Sequence, residues 1–561
     1  MRILLVCSSF DGLVQSVWLA LRRAGHEVSV ELALSERLVM EAVRLAKPDL
    51  VICPSAAGRA PAPLWEGART VVIRPGPPGD RGPFPLERAI AGGVGEWGVT
   101  ALQAGREMEG APVWGHRMFA MPAEPPRRSA LYRGPVAEAA AELVLEVADR
   151  AADPGFVPEP PVPGGPVVRV REPGGVLSWE APTEEVVRRV RAADGEPGVV
   201  AELCGLAVRV FDVYRGPVLG GAPGVVAGRR EGAVLVHTGD GTVWVGQLRA
   251  GERGAVTLPA ASVLGGRLDG VRERAGFSEI TYDRGDGVGV VGFDFYEGAM
   301  SAGQCRRLVA ALRYAAEQDT RVLVVRGGEV FSRGVHLEVI EAARYPELEA
   351  WMNVTAFGLL CRELVACTGQ LVVTSVGGDA WAGGVMLALG GDRVMVRSGV
   401  VLNPHFRTLG LSGGGLWAYV LPRRVGARQA RRLAWRALPV GAQEAVELGL
   451  ADRVVPGSRP EFEGAVLEYA DRLASSPRYE RLLAAKREAR EADERRKPLE
   501  AYRAEELAEL SRDVFGDRRG FGEARRALVH GRRPACTPAR LALHRRGSGA
   551  SPAPDAEASH M

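Results

Sequence analysis

The chain has 561 residues, of which 46% are hydrophobic and 25% are charged, as in folded proteins with several domains. Its 71 basic and 68 acidic residues leave a net charge of +3, which argues against a dedicated nucleic-acid-binding protein and against a disordered chain. Only three of the basic residues are lysines, so the abundance of arginine indicates coding bias in a GC-rich bacterial genome rather than phosphate binding.

Cysteine spacing and hydropathy argue against a disulfide-rich secreted protein and against a membrane protein. The seven cysteines are widely spaced and contain no C-x-x-C pair, so neither a disulfide framework nor a metal site is predicted. The N-terminus lacks the apolar core and cleavage site of a signal peptide. No run of about 18 apolar residues is present. We therefore expect a cytoplasmic protein without a membrane span.

The first 151 residues alternate strand-like and helix-like runs. The strand-like runs are residues 1–9, 26–34, 48–55 and 68–76. Alternation of this kind predicts a parallel sheet that is covered on both faces, as in a Rossmann-like domain. The dinucleotide fingerprint G-x-G-x-x-G does not follow the first strand.

Changes in composition mark the later domain boundaries. Proline and glycine crowd residues 152–174, which predicts a linker. Residues 175–268 begin with an amphipathic helix and continue as short strands and turns, which indicates a small β-barrel. Residues 277–475 have the pattern of a second α/β unit. A charged helical region over residues 476–545 follows, and then a disordered tail or remnant of cloning over residues 546–561.

Residues 70–115 resemble the folate-dependent formyltransferases. That family carries an Asn-x-His-Pro motif after a strand, then a Pro/Gly loop and a later Asp. These groups polarise the formyl carbonyl and move its proton. Here the three positions are Val72, Arg74 and Glu109. Arg74 could stabilise negative charge but cannot shuttle a proton near neutral pH, and Glu109 could pair with it. Arg74 and Glu109 are therefore the candidate catalytic residues of this half.

The loop after this motif keeps the pattern of the family. The resemblance implies that it binds 10-formyltetrahydrofolate through Gly76, Pro78, Gly79 and Asp80. Residues 178–198, with the strands that follow them, resemble the C-terminal OB-like domain of methionyl-tRNA formyltransferase. The implied architecture is a Rossmann-like formyltransferase fold followed by an OB-like barrel.

Residues 320–341 and 375–399 resemble the two glycine-rich turns of the enoyl-CoA hydratase/isomerase (crotonase) superfamily. The resemblance implies a ClpP/crotonase-type α/β fold that binds a coenzyme A thioester. The main-chain amides of Arg333 and Gly383 would form its oxyanion hole. Gly334 and Gly384 would let the backbone approach the thioester, and we assign both to cofactor binding.

Side chains that move protons are scarce in this second half. One acid/base Glu of the hydratases corresponds to Met386, and the other falls on the glycines at 413–415. Ser412 and His405 are the nearby groups able to exchange a proton, although a lone histidine is more often a packing or surface residue. Ser412 and His405 are the candidate catalytic residues here.

The combination of the two halves is similar to the HypX (HoxX) hydrogenase maturation proteins over almost the whole chain. Members of that family are understood to pass a formyl group from 10-formyltetrahydrofolate to coenzyme A and to release carbon monoxide from formyl-CoA. A segment like L-Y-G-S-E-Y-W in the family reads LSGGGLW here, with Ser412 at the Tyr and Gly415 at the Glu. Reactive groups are lost in both halves while both scaffolds persist, which predicts a diverged member with changed chemistry.

Three functions remain open at this point. The first is a HypX-type enzyme that uses 10-formyltetrahydrofolate and coenzyme A. The second is a repurposed crotonase-type enzyme that acts on an acyl thioester of specialised metabolism. The third is a non-catalytic binding protein with two relic pockets. In each case we expect small-molecule partners, no nucleic acid, no membrane, and a monomer or homodimer. If the halves cooperate, an internal tunnel would shield a reactive intermediate from water.

Overall fold

The computed structural model describes residues 1–54, 62–106, 110–163 and 174–546. Glu109, residues 164–173 of the expected linker and residues 547–561 of the expected tail lie outside these ranges. The described chain has three α/β or β units and a set of C-terminal helices, so the predicted multidomain α/β fold is confirmed. None of the helices in these ranges combines the length and the apolar character needed to cross a bilayer.

The N-terminal unit contains a six-stranded sheet of order β2-β1-β3-β4-β5-β6. Its strands are β1 (Arg2–Cys7), β2 (Glu27–Leu32), β3 (Leu50–Cys53), β4 (Thr70–Pro75), β5 (Glu96–Gln103) and β6 (Val113–Ala120). Its helices are α1 (Gly12–Arg23), α2 (Glu36–Ala46), α3 (Ala62–Gly67), α4 (Pro85–Gly92), α5 (Arg128–Leu131) and α6 (Ala137–Ala152). Ile3 and Leu5 pack into one core and Leu4 and Val6 into another, so both faces of the sheet are covered.

The sheet is parallel only in part. Strands β1 to β4 are parallel, as predicted, whereas β5 pairs antiparallel with β4 and β6 antiparallel with β5. Most of β6 alternates between more exposed and less exposed residues, which is the burial pattern of an antiparallel edge strand with one face toward solvent.

The second unit contains an antiparallel sheet of order β7-β8-β11-β10-β9, with β12 paired to β11. Its strands are β7 (Val199–Leu203), β8 (Leu206–Arg215), β9 (Val226–Arg230), β10 (Ala233–His237), β11 (Thr242–Ala250) and β12 (Leu258–Pro259), and its helices are α7 (Thr183–Ala192) and α8 (Ala260–Leu264). Within the described residues no ladder joins β7 to β9, so the expected OB-like barrel is open along this edge.

The third unit has a main sheet of order β13-β14-β16-β18-β20-β23, parallel from β14 onward. Its strands are β13 (Ile280–Arg284), β14 (Val288–Phe293), β15 (Ala299–Met300), β16 (Val322–Gly327), β17 (Gly334–Val335), β18 (Leu371–Val376), β19 (Ala380–Trp381), β20 (Arg393–Arg397), β21 (Val401–Asn403), β22 (Val440–Gly441) and β23 (Arg453–Val455). Small two- and three-stranded sheets carry the two glycine-rich turns beside the main sheet.

Helices surround this third unit and extend beyond it. They are α9 (Ala302–Ala316), α10 (Leu337–Ala342), α11 (Pro346–Ala366), α12 (Gly383–Ala388), α13 (Trp417–Val425), α14 (Ala427–Arg436), α15 (Ala442–Leu448), α16 (Arg459–Ala474), α17 (Tyr479–Arg496), α18 (Leu499–Val514) and α19 (Phe521–Val529). The chain then returns to the N-terminal unit, where the Val30 amide donates to the Leu541 carbonyl at 3.0 Å. The C-terminal segment therefore holds the first and third units together.

Candidate active site between the two halves

The formyltransferase-like position is filled by an ion-pair cluster. Arg74, at the end of β4, donates through Nη2 to Asp80 Oδ2 at 3.2 Å and to the Gly82 carbonyl at 3.0 Å. Arg88 donates to both oxygens of Asp80 at 2.8 and 2.9 Å. The Asp80 side chain is 7% exposed, so the carboxylate lies enclosed between two guanidinium groups. The cluster holds Arg74 in place, and its predicted partner Glu109 is outside the described residues.

One small cavity among the described residues lies beside this cluster. The cavity lined by Arg74, Gly79 and Asp80 has a volume of about 30 Å³, enough for roughly one water molecule. Val72 is fully buried against apolar neighbours and offers no donor to a formyl group. Pro77 lines the cavity, whereas Pro78 does not. This cavity alone is too small to hold a folate.

Gly76 has a structural role in the same loop. Its amide donates to the Gly98 carbonyl at 2.8 Å, and its carbonyl accepts from Thr100 Oγ1 at 2.7 Å. A Cβ at this position would lie 3.0 Å from Asp80 Oδ2. Glycine is therefore needed for the loop to fold back onto the ion-pair cluster.

Two larger cavities lie between the N-terminal and crotonase-like units. The smaller, about 350 Å³, is lined by Asp11, Gln15 and Tyr132 on one side and by Val335, Phe357 and Gly383 on the other. The larger is about 830 Å³ and includes Arg128, Arg249 and His530. The two cavities adjoin, because Asp11, Tyr132, Arg133, Arg333 and Leu528 line both of them.

The two glycine-rich turns meet at the wall of the smaller cavity. A Cβ on Gly334 would lie 3.3 Å from the Gly383 nitrogen, and a Cβ on Gly384 would lie 2.0 Å from the Ser332 carbonyl oxygen. Gly334 and Gly384 thus lie where one turn packs against the other, and their missing side chains allow this close approach. Gly383 lines the cavity as the first residue of α12, where a backbone N–H has no acceptor within its own helix.

The main-chain amide of Arg333 is not a free oxyanion-hole donor, contrary to the prediction. Its N–H donates to the Gly298 carbonyl at 2.8 Å, so it is not available to a thioester, and the prediction for this donor is wrong in this structure. The side chain of Arg333 instead lines both cavities and pairs with Glu338 at 2.5 Å. Burial opposes ionisation of Glu338, but Arg333 and His336 outweigh it and hold the pKa of that carboxyl well below its usual range.

Ser412 lies outside the lining of the smaller cavity. Its Oγ accepts from Arg518 at 2.8 Å and from Arg519 at 3.1 Å, and its amide donates to Asp513 at 2.7 Å. These bonds hold Ser412 against the C-terminal helices, so its hydroxyl does not face the cavity. The structure does not support Ser412 as a proton carrier.

His405 does line the smaller cavity. Its Nδ1 lies 3.2 Å from Thr408 Oγ1. Burial and the positive charge of Arg540 lower the pKa of His405 to about 4, so the ring is neutral at pH 7 and is a weak base. Met386, at the position of a hydratase Glu, is fully buried in the core.

Asp11 and Tyr132 are cavity residues that the sequence analysis missed. Asp11 caps α1, and its Oδ1 accepts from the Val14 amide at 3.1 Å. Tyr132 donates its hydroxyl to Asp11 Oδ2 at 3.4 Å. Asp11 follows the carboxyl end of β1, the edge of a parallel sheet where ligands bind. The position of Asp11 in the sequence, shortly after the first predicted strand, could have identified it as a candidate ligand-binding residue.

The fold and the two cavities define a protein that joins a formyltransferase to an enoyl-CoA hydratase/isomerase-type domain. Family models agree: residues 170–262 match the formyl transferase C-terminal domain, and residues 285–515 match enoyl-CoA hydratase/isomerase. Part of the chain is also 30% identical over 191 residues to methionyl-tRNA formyltransferase of Burkholderia multivorans, covering 33% of this chain and 57% of that protein.

Two relatives match nearly the whole chain. The hydrogenase maturation factor HoxX of Bradyrhizobium diazoefficiens is 39% identical over 554 residues, which is 97% of each chain. HypX from Aquifex aeolicus, solved in complex with tetrahydrofolic acid, is 36% identical with a TM-score of 0.93, covering 97% of this chain and 99% of that chain. The chain belongs to the HoxX/HypX family of hydrogenase maturation factors.

Proposed function

We propose that this family member binds a coenzyme A thioester in the two adjoining cavities and polarises its acyl carbonyl at Gly383. In this proposal the N-terminal half no longer transfers formyl groups from 10-formyltetrahydrofolate through a proton relay. The proposal rests on a contrast between two places in the molecule. Arg74, Asp80 and Arg88 fill the expected formyl-transfer position, whereas the two cavities between the halves have volumes of about 350 and 830 Å³.

The chemistry of the cavity walls fits the two ends of a coenzyme A thioester. Phosphate groups favour guanidinium partners, and Arg128 and Arg249 in the larger cavity would hold them. The smaller cavity is walled mainly by apolar side chains such as Leu337, Val354 and Phe357, which suit an acyl chain. The Gly383 N–H would donate to the thioester oxygen, and exclusion of water would strengthen that hydrogen bond.

A second candidate function is the full family reaction, with formyl transfer from 10-formyltetrahydrofolate to coenzyme A followed by release of carbon monoxide. Identity of 39% over 97% of the HoxX chain favours it, as does tetrahydrofolic acid bound to the Aquifex relative. This reaction would require Arg74 to leave Asp80 and another group to move the proton.

Calorimetric titration of the full-length protein tests the proposal. We expect acetyl-CoA to bind with micromolar affinity and tetrahydrofolate to show no saturable heat. An Arg249→Ala variant should bind acetyl-CoA at least tenfold more weakly, whereas Arg2→Ala, an exposed arginine outside both cavities, should bind it unchanged. Tight tetrahydrofolate binding, or no acetyl-CoA binding, would contradict the proposal.

A further inference from the structure

Asp11 is a carboxylate of the N-terminal unit that lies at the two cavities between the halves. It stands at the N-terminus of α1, four residues after the end of β1, and lines both the smaller and the larger cavity. Among the described residues that line the smaller cavity, it is the only carboxylate. A base from the N-terminal unit therefore faces the acyl site that the crotonase-like unit provides.

The hydrogen bonds of Asp11 fix its orientation. Oδ1 accepts from the Val14 amide at 3.1 Å, and Oδ2 accepts from Ser9 Oγ at 3.0 Å and from Tyr132 Oη at 3.4 Å. Burial raises the pKa of Asp11 despite these donors, which makes the carboxylate a stronger base than an exposed one. Burial also raises the pKa of Tyr132, so its hydroxyl stays protonated and donates.

Four other titratable groups near the two cavities are poorly suited to this role. His405 is held neutral and weakly basic, and Ser412 is bonded to the C-terminal helices. Glu297 and Glu338 line only the larger cavity, and each is paired with an arginine, Arg133 and Arg333 respectively. An arginine-paired carboxylate is stabilised as the anion and is a weaker base.

We propose that Asp11 is the catalytic base that removes a proton from the α-carbon of an acyl thioester bound in the smaller cavity. This inference rests on the proposed function. The Cα–H electron pair becomes the C=C bond of an enolate, and the carbonyl π pair moves to the thioester oxygen. The proton passes to Asp11 Oδ2. Return of a solvent-exchanged proton or deuteron to the α-carbon regenerates the thioester, so no oxidant or further reactant is needed.

Exchange of the methyl protons of acetyl-CoA in D₂O, followed by proton NMR, tests this assignment. Asn caps a helix as well as Asp does, so Asp11→Asn keeps the α1 cap and removes the base. We expect it to slow exchange at least 100-fold, the scale of one acid–base group, while the Kd for acetyl-CoA stays within threefold. Asp49→Asn makes the same chemical change at an exposed carboxylate outside both cavities and should leave exchange unchanged.

A second variant separates a catalytic role from a structural one. Tyr132→Phe keeps the buried ring and removes the hydroxyl that orients Asp11, and we expect it to slow exchange about tenfold at unchanged Kd. Exchange at the wild-type rate in Asp11→Asn would overturn the inference, as would wild-type protein that binds acetyl-CoA without exchanging it. Failure of wild-type protein to bind acetyl-CoA would instead overturn the proposed function.

Discussion

Arg74 and Asp80 form an ion pair at 3.2 Å beside the end of β4. Arg88 closes the other side of the carboxylate at 2.8 Å. Since guanidinium groups keep their protons near neutral pH, the cluster can hold charge but cannot relay a proton. A proton relay in the N-terminal unit would therefore need a group other than Arg74.

Asp80→Asn tests whether this cluster stabilises the fold. The substitution leaves Arg74 and Arg88, both largely buried, without a counter-charge, and we expect the free energy of unfolding to fall by about 1–3 kcal/mol in urea titrations. The control is Asp49→Asn, which breaks the exposed pair with Arg2 and should change stability by less than about 1 kcal/mol. Equal effects of the two variants would mean that the cluster adds nothing to stability.

Gly334→Ala tests the contact between the two glycine-rich turns. Gly334 has φ +80°, and the new Cβ would lie 3.3 Å from the Gly383 nitrogen, so the turn that carries Gly383 must move. We expect acetyl-CoA binding to weaken about tenfold, or about 1.4 kcal/mol, in calorimetry.

The matched control for this change is Gly205→Ala. Gly205 has φ +71°, a similar backbone strain, but a Cβ there would meet nothing within 4 Å. We expect unchanged acetyl-CoA affinity in this variant. If both variants bound equally, the proximity of the turns would not shape the thioester site.

Glu506→Gln tests a buried carboxyl that holds the wall of the smaller cavity. Glu506, on α18, accepts from the Leu416 amide at 2.9 Å and from the Ala418 amide at 3.1 Å, and thereby caps α13 after the glycines at 413–415. Burial raises its pKa to about 7 despite these two donors. Because the pKa of Glu506 is higher in the folded state than in the unfolded state, its protonated carboxyl stabilises the fold fully at pH values below the unfolded-state pKa. This stabilisation is lost as the pH rises through about 7.

The expected result is a difference in pH dependence between two proteins. Wild type should lose about 2–3 kcal/mol more unfolding free energy than Glu506→Gln between pH 4 and pH 8, because only the wild type releases this proton. Guanidinium titrations at both pH values measure it. Subtracting the variant from the wild type cancels the other buried carboxyls, such as Asp212, whose pKa burial raises to about 7. Parallel pH profiles would show that Glu506 does not titrate in this range.

The sequence predicted the fold well because its signals are local. Apolar strands, the Pro/Gly loop around Gly76 and the turns at Gly334 and Gly383 are encoded in short runs of residues, and each appears where expected. Strand direction depends on pairing between distant segments, and the prediction of a parallel first sheet was wrong for its last two strands, β5 and β6.

The candidate site was harder to predict because its chemistry depends on partners far away in the chain. The Arg333 amide is taken by Gly298, 35 residues earlier, and the Ser412 hydroxyl by Arg518, 106 residues later. Asp11 caps α1, and only the packing of the two halves brings it to the smaller cavity. Such contacts between distant residues leave no spacing pattern in the sequence.

Headspace carbon monoxide is the most direct test of whether the family reaction persists in this chain. The full-length protein is incubated with 10-formyltetrahydrofolate and coenzyme A, with added carbon monoxide calibrating the detector and acetyl-CoA binding showing that the sample is folded. We expect no carbon monoxide above the protein-free blank, because Arg74 and Asp80 close the formyl-transfer position. Repeated turnover, abolished by omitting either the folate or coenzyme A, would contradict this expectation and establish a working formyl-transfer half.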